Sequence, residues 1–404
     1  MRIITTTADL ASACEELAQG DFVTVDTEFM RESTYWPILC LIQMAGPGRD
    51  SAAGPEVIVD PMAPGIDLAP FFDLMMNEQI VKVFHAARQD IEIIFVETGK
   101  VPKRVFDTQI AAMVCGCNES ISYVNLVKKY TGADLDKSSR FTDWSRRPLS
   151  QNQLVYALGD VTHLRDVYVK MRQEMAAENR LEWVEEEMAE LMTSATYETV
   201  PADAWQRLKL KVRGRKALAV LIEICAWREQ HAQASDVPRG RILRDDALLD
   251  IAHQAPTTVE KLGELRSMSD GFARSQRARE IIDAVKAGLA RDPATVPSVE
   301  HHEAIAAEAG ALVELLKVLL KAAAARARVA PRLIADTEDL ELIATKANPS
   351  VRALEGWRRK IFGEDALRLK RGELALTLRA GEVVAIATEA QPAVRPQTSE
   401  TLTA

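Results

Sequence analysis

The sequence predicts an α/β domain followed by two all-α helical domains, and three observations carry that reading. Short apolar runs bounded by Gly, Pro and Asp alternate with helix-like periodicity through the first half. Beyond about residue 180 the strand signals vanish. A similar phrase then occurs twice, Val237-Pro238-Arg239-Gly240-Arg241-Ile242-Leu243 and Val329-Ala330-Pro331-Arg332-Leu333-Ile334, each followed by acidic residues and an apolar helix.

Taken in order, Phe22–Phe29 is β-rich and Ile38–Met44 is a second apolar run. Val57–Asp60, ended by Pro61, is the third, and Val81–Phe84 the fourth. Runs of this length and content read as strands of a mostly covered sheet. Helical periodicity follows in Asp90–Val96 and Thr108–Val114, and most strongly from Gln151 to Met175. That last helix opens on a capping box, Ser150-Gln151-Asn152-Gln153, preceded by Pro148. Leu181–Met192 is acidic and helical, and Pro201 marks a break. The two helical regions, 203–290 and 296–385, are separated by Arg291-Asp292-Pro293-Ala294-Thr295-Val296-Pro297, a linker composition. The repeated phrase makes them one small module present twice. The tail from 390 to 404 is rich in Pro, Thr, Ser and Glu and is expected to be disordered.

Composition sets limits. At 404 residues the chain exceeds one ordinary core, and its 47% hydrophobic and 27% charged content exclude wholesale disorder. Cys14, Cys40, Cys115, Cys117 and Cys225 form no paired framework, which fits a reducing compartment; the C-x-C lacks a second Cys/His pair at zinc spacing. The N-terminus lacks a signal peptide's apolar core, and no stretch reaches transmembrane length. A cytoplasmic chain with no membrane role is expected, and nothing demands an oligomer. A net charge of −9 disfavours nucleic-acid binding over the whole surface but leaves room for a local basic groove.

Three short patterns carry chemistry. Asp26 and Glu28 lie two apart on a buried-looking strand, so both carboxylates project from one face. Two buried acids call for a cation, and oxygen ligands suit Mg²⁺ or Mn²⁺. Asp90 closes Phe84-His85-Ala86-Ala87-Arg88-Gln89-Asp90, in the first turn after the fourth strand, where a helix-capping role is the plain alternative. Tyr156 and Asp160 are four apart on the well-capped helix and share its face.

Their order resembles the tyrosine-containing branch of the DEDD exonuclease superfamily, and within it ribonuclease D. Supporting stretches are Asp26-Thr27-Glu28-Phe29, Tyr35-Trp36-Pro37, Leu41-Ile42-Gln43, Asp60-Pro61, Phe84-His85-Ala86 and Phe106-Asp107-Thr108-Gln109-Ile110. Leu135-Asp136-Lys137-Ser138, Asp143-Trp144 and Arg147-Pro148-Leu149 extend the match, which covers about 1–195. The paired helical modules resemble HRDC domains. The resemblance implies a ribonuclease H-like α/β exonuclease domain with a mixed central sheet over 1–195, and HRDC-like domains over 203–290 and 296–385. It implies hydrolysis of RNA from the 3′-hydroxyl end, releasing 5′-mononucleotides, with precursors of tRNA bearing 3′ extensions as substrate.

The same resemblance implies two divalent ions held by four carboxylates. Asp26 would bridge them, Glu28 and Asp160 would hold the nucleophile-side ion, and Asp90 would hold the leaving-group ion partly through water. Tyr156 would orient the attacking water, since a tyrosine hydroxyl with a pKa of about 10 is a poor base at neutral pH. Phe29 is a candidate to pack on the terminal base, Gln43 to bond the terminal ribose, and His85 to touch the terminal nucleotide. Arg207–Lys216 holds six basic residues and no acid, so Lys209, Lys211, Arg213 and Arg215 are candidate phosphate contacts. Lys137 and Arg147 belong to a second basic stretch before the catalytic helix. A DNA-directed exonuclease and a non-catalytic RNA-binding scaffold are the alternatives, and the full set of acids weighs against the scaffold.

Overall fold

The computed structural model describes residues 1–48, 54–135, 142–208, 212–268, 270–273, 275–297 and 307–388. Its strands are β1 (Arg2–Ile4), β2 (Phe22–Met30), β3 (Ile38–Ala45), β4 (Glu56–Val59), β5 (Val81–Phe84) and β6 (Val105–Asp107). They form one mixed sheet in the order β1-β4-β3-β2-β5-β6. β3 is antiparallel to β2 and β4, whereas β2–β5, β5–β6 and β1–β4 run parallel. Four of the six strands are legible as apolar runs. The two three-residue strands, β1 and β6, are too short to show alternation and take their form from the neighbours they pair with.

Between and after these strands the chain forms helices α1 (Thr7–Leu17), α2 (Ala69–Met76), α3 (Arg88–Thr98), α4 (Thr108–Val114), α5 (Tyr123–Thr131), α6 (Gln151–Ala177) and α7 (Leu181–Leu191). Strand alternation divides β2 between two surroundings. Val23 and Val25 join the main apolar cluster with Leu10, Ile42, Met44, Val59, Phe84 and Ile91. Thr24, Asp26 and Glu28 project to the opposite face, and Thr24 Oγ1 reaches the Val161 carbonyl of α6 at 2.9 Å. On that face Leu41 and Ile58 pack with Trp144, Leu154 and Ala157. Burying each large side chain contributes about 1.5–3 kcal/mol, so α6 is fixed to the sheet by its apolar stripe. Its start is fixed by the capping box: Ser150 N donates to Gln153 Oε1 (2.9 Å) and Gln153 N to Ser150 Oγ (3.3 Å).

The chain falls into two compact units. One comprises Met1–Thr108, Ser122–Arg172 and Glu185–His301. Besides the sheet it contains α8 (Arg215–Ser235), α9 (Arg239–Ile242), α10 (Asp245–Gln254), α11 (Val259–Gly263), α12 (Asp270–Ala273) and α13 (Gln276–Ala290). A Cβ on Gly288 would lie 2.6 Å from the Val220 Cα, so this contact of α13 with α8 requires glycine. The loop leaving β2 is tied to this helical module. Tyr35 donates its hydroxyl to the wholly buried Glu229, Arg239 donates to that hydroxyl (2.8 Å), and Asp236 accepts from the backbone of Tyr35 and Trp36.

The other unit comprises Gln109–Ile121, Gln173–Val184 and His302–Ala404. It holds α14 (Ala307–Ala327), α15 (Pro331–Ile334), α16 (Thr337–Thr345), α17 (Gly356–Arg358) and α18 (Glu364–Lys370). The repeated phrase has the same form in each unit. α8 and α14 are both 21 residues long, each ends at a left-handed residue (Asp236, φ 48°; Arg328, φ 52°), and a four-residue helix follows.

The second helical region is not purely helical. β7 (Leu374–Arg379) and β8 (Glu382–Ala387) form an antiparallel hairpin. Ala380 and Gly381 both adopt positive φ, the requirement of a tight primed turn, and the β8 run Glu382-Val383-Val384-Ala385-Ile386-Ala387 is β-branched. The expectation that strands end near residue 180 is corrected here. The tail over 390–404 lies outside the described residues.

Candidate active site

Asp26, Glu28 and Asp160 converge. Each offers a carboxylate oxygen, and these atoms lie within 4.8 Å of one another. β2 supplies the first two from one face, and α6, seated on that face, supplies the third. A bulge between Glu28 and Phe29 breaks the β2–β3 register just past the pair and ends the acidic face. Asp90 stands beside this group on the first turn of α3, and Thr27 donates its hydroxyl to Asp90 Oδ1 at 2.5 Å. Tyr156 is hydrogen-bonded to Asp160 through its side chain, and its ring lies 6.2 Å from that of the buried Trp144.

The electrostatics follow from crowding acids in a covered site. Burial first, then the charges of Asp160, Asp90 and Glu28, raise Asp26 well above the ordinary carboxylate range. Burial, then Asp160 and Asp90, push Glu28 up to about 8. Burial pushes Asp90 and Asp160 up to about 7, with Thr27 and Tyr156 respectively pulling the other way by hydrogen bonding. A divalent cation relieves what these groups cannot relieve among themselves. The all-oxygen donor set fits a hard ion.

Two positioning features lie outside the candidate site residues, although Asp107 falls in one of the stretches that carry the resemblance. Asp107, at the end of β6, accepts from the backbone N–H of Ala86 (3.0 Å) and of Ala87 (2.8 Å). It thereby fixes the turn, with Ala86 at φ 62°, from which α3 carries Asp90. Tyr123 donates its hydroxyl to the Gly159 carbonyl of α6 at 2.9 Å, next to Asp160. Burial, then the charges of Asp160 and Asp26, raise that hydroxyl well above the ordinary tyrosine range. An isolated Ser-Tyr pair at a helix start gives no hint of this.

The candidate substrate contacts divide. Phe29 is half-buried and packs on the main core. His85 Nδ1 bonds Thr108 Oγ1 at 3.0 Å while its ring lies 5.5 Å from that of Tyr123, so a structural partner accounts for one nitrogen. Gln43 has 0% of its surface exposed, which corrects the expected contact to a terminal ribose: a side chain without surface cannot meet one. Arg147 is corrected too. Its five N–H groups donate to Asp60 (twice, both at 2.7 Å), the Cys40 and Trp144 carbonyls and the Arg146 carbonyl, which leaves no donor for a phosphate. Arg213 and Arg215 are exposed at the start of α8. Lys137, Lys209 and Lys211 lie outside the described residues.

Residues 1–176 match the family described as 3′-5′ exonuclease, and 217–285 match the HRDC domain. A ribonuclease D of Nitrobacter hamburgensis is 53% identical over 386 residues, covering 96% of this chain and 99% of that protein. The chain belongs to the ribonuclease D family. A ribonuclease D of Granulibacter bethesdensis is 46% identical over 387 residues, covering 96% of both chains. The crystal structure of Escherichia coli RNase D, described as an exoribonuclease involved in structured RNA processing, superposes with a TM-score of 0.78 at 26% identity, covering 92% of this chain and 98% of that one. Membership of the ribonuclease D family makes the chain a hydrolytic 3′-5′ exoribonuclease, and its exonuclease fold implies use of a divalent metal.

Proposed function

We propose that this ribonuclease D trims 3′ extensions from structured RNA, tRNA precursors above all, releasing 5′-mononucleotides with two ions, Mg²⁺ or Mn²⁺. The observation that carries the reading is the convergence of Asp26, Glu28 and Asp160 oxygens within 4.8 Å, with Asp90 and Tyr156 beside them. Asp26, Glu28 and Asp160 would hold the ions, Asp26 contributing to both, with Asp90 the further carboxylate beside them. When bound, the ions supply charge stabilisation at the phosphoryl group and lower the pKa of water. Tyr156, whose ring lies beside that of Trp144, would orient the attacking water with its hydroxyl. Thr27 holds Asp90 by the hydroxyl it donates.

RNA reaches this site past the start of α8. Arg213, Arg215 and Lys216 are exposed there, and the first turn of that helix contains no acid. Cations at a helix N-terminus oppose the macrodipole, so helix stability does not account for them and phosphate binding does. We assign the exonuclease domain to 1–195 and the helical domains to 203–290 and 296–385, in a cytoplasmic monomer. No helix among the described residues is long and apolar enough to cross a membrane.

The test is a time course on 5′-labelled tRNA carrying extra 3′ nucleotides, beside a matched DNA strand, in Mg²⁺, Mn²⁺ or EDTA. Stepwise shortening of the RNA in either metal, none in EDTA and little on DNA are expected. Internal cleavage, metal-independent cleavage, or near-normal activity of Asp26→Ala would overturn the reading.

A further inference from the structure

Gln43 is buried to 0% exposure, and among the described residues neither its Nε2 nor its Oε1 has a hydrogen-bond partner. Buried amides are almost always bonded, and one left unbonded costs stability. Its surroundings restrict what the partner can be. Gln43 pairs with Asp26 on β2 and with Ile58 on β4. Side chains paired across neighbouring strands share a face, about 4.5–5.5 Å apart at Cβ. Leu41 and Ile58 on that face belong to an apolar cluster with Leu154 and Ala157 of α6, and the buried Ala45, two residues along β3, offers only a methyl group. Thr24, the diagonal neighbour, directs its hydroxyl to the Ala45 and Val161 carbonyls. Asp26 is the one acidic side chain paired directly with the amide.

We propose that Gln43 is a positioning residue for the ion site: its Nε2 donates through one bridging water to an Asp26 carboxylate oxygen and holds that carboxylate in its ion-binding rotamer. The inference rests on Asp26 being an ion ligand. It explains why an amide occupies a place where an apolar residue would pack. A residue of the sheet interior thereby takes part in ion binding without touching ion or substrate, as outer hydrogen bonds to metal ligands generally do.

Ordinary core packing and this role predict opposite patterns for Gln43→Met, which keeps the shape and removes the polar atoms. Mn²⁺ affinity, measured by calorimetry, should weaken about 10–100-fold, while the melting temperature in EDTA stays level or rises. Exonuclease turnover should recover at saturating Mn²⁺. Wild-type Mn²⁺ affinity in Gln43→Met would reduce Gln43 to core filler and overturn the proposal. Should Gln43→Met fail to fold, the wild-type protein decides: the Gln43 side-chain amide resonances must shift when Mg²⁺ is added, and an unchanged pair overturns the proposal. Asp26→Asn separates the two levels. If it binds Mn²⁺ as wild type does, the ion site itself is misassigned; if it loses Mn²⁺ while Gln43→Met keeps it, only the role of Gln43 falls.

Discussion

Asp26 on β2 and Asp160 on α6 present carboxylate oxygens within 4.8 Å of each other, although one comes from a strand and the other from a helix far along the chain. Each raises the pKa of its surroundings, and the fold must hold both in place while they repel. The apolar contacts of α6 with Leu41 and Ile58, and the Thr24–Val161 hydrogen bond, supply that hold.

A consequence is a pH-dependent stability of the ion-free protein. Asp26, Glu28, Asp90 and Asp160 all have folded-state pKa values above their ordinary 3.8 or 4.5. Groups shifted upward stabilise the fold at low pH, and that contribution is lost as pH rises through the folded values of about 7 to 8. In EDTA the melting temperature should therefore fall between pH 6 and pH 8.5. Mg²⁺ should restore it, most strongly at the alkaline end, where the ion displaces no protons. Asp160→Asn, scanned in EDTA, should flatten the slope and melt higher than wild type at pH 8, while losing at least about a hundredfold in turnover. A flat wild-type profile in EDTA would contradict the coupling.

Tyr156→Phe separates orientation from ion binding. The ring and its place beside Trp144 remain, and only the hydroxyl bonded to Asp160 is lost. Turnover should drop about 10–100-fold, a positioning loss short of full acid–base catalysis. KM and Mn²⁺ affinity should hold within about twofold, because no ion ligand is removed. A large loss of Mn²⁺ affinity would mean that the hydroxyl acts by holding Asp160 rather than by orienting water.

Legibility in the sequence followed from spacing. Asp26 and Glu28 share a face because strands repeat every two residues, and Tyr156 and Asp160 because helices return near every fourth; both relations were readable before any fold. Asp90 was readable only by its place after a strand. What spacing could not reveal was who meets whom. Arg147 looked like a phosphate contact because nothing in its neighbourhood announces Asp60 or the Cys40 carbonyl as partners. Gln43 sits in Leu41-Ile42-Gln43-Met44, and a strand gives no sign of which face will be sealed by a distant helix. The β7–β8 hairpin was hidden because its alternation is partial and follows a long helical stretch.

Arg147 makes a structural prediction where the sequence suggested a binding one. Its paired carboxylate, Asp60, is held below the ordinary range by the hydrogen bonds of Arg147 and the Met62 backbone, although burial works against this. Both side chains are largely covered. Arg147→Lys cannot reproduce five directed N–H groups, and should cost about 2 kcal/mol of stability. At a temperature where the variant is folded, RNA affinity and its salt dependence should match wild type. A reduced salt slope in Arg147→Lys would return the residue to the RNA path.

Arg213 and Arg215 predict the converse. Both are exposed, neither is ion-paired among the described residues, and Arg215 begins α8 without an acid in the first turn. Replacing them with alanine should leave the melting temperature unchanged or slightly higher, since a cation at the positive end of a helix is worth a few tenths of a kcal/mol against the fold. Binding of a catalytically inactive form to RNA should weaken. The slope of log K against log salt should fall by about 0.7 for each single-strand phosphate contact removed. Turnover on a short unstructured oligonucleotide, too short to reach α8, should stay near wild type, because the acids and Tyr156 are untouched. If the double variant kept the full salt slope, phosphate contact at the start of α8 would be excluded, and the charges there would need another explanation.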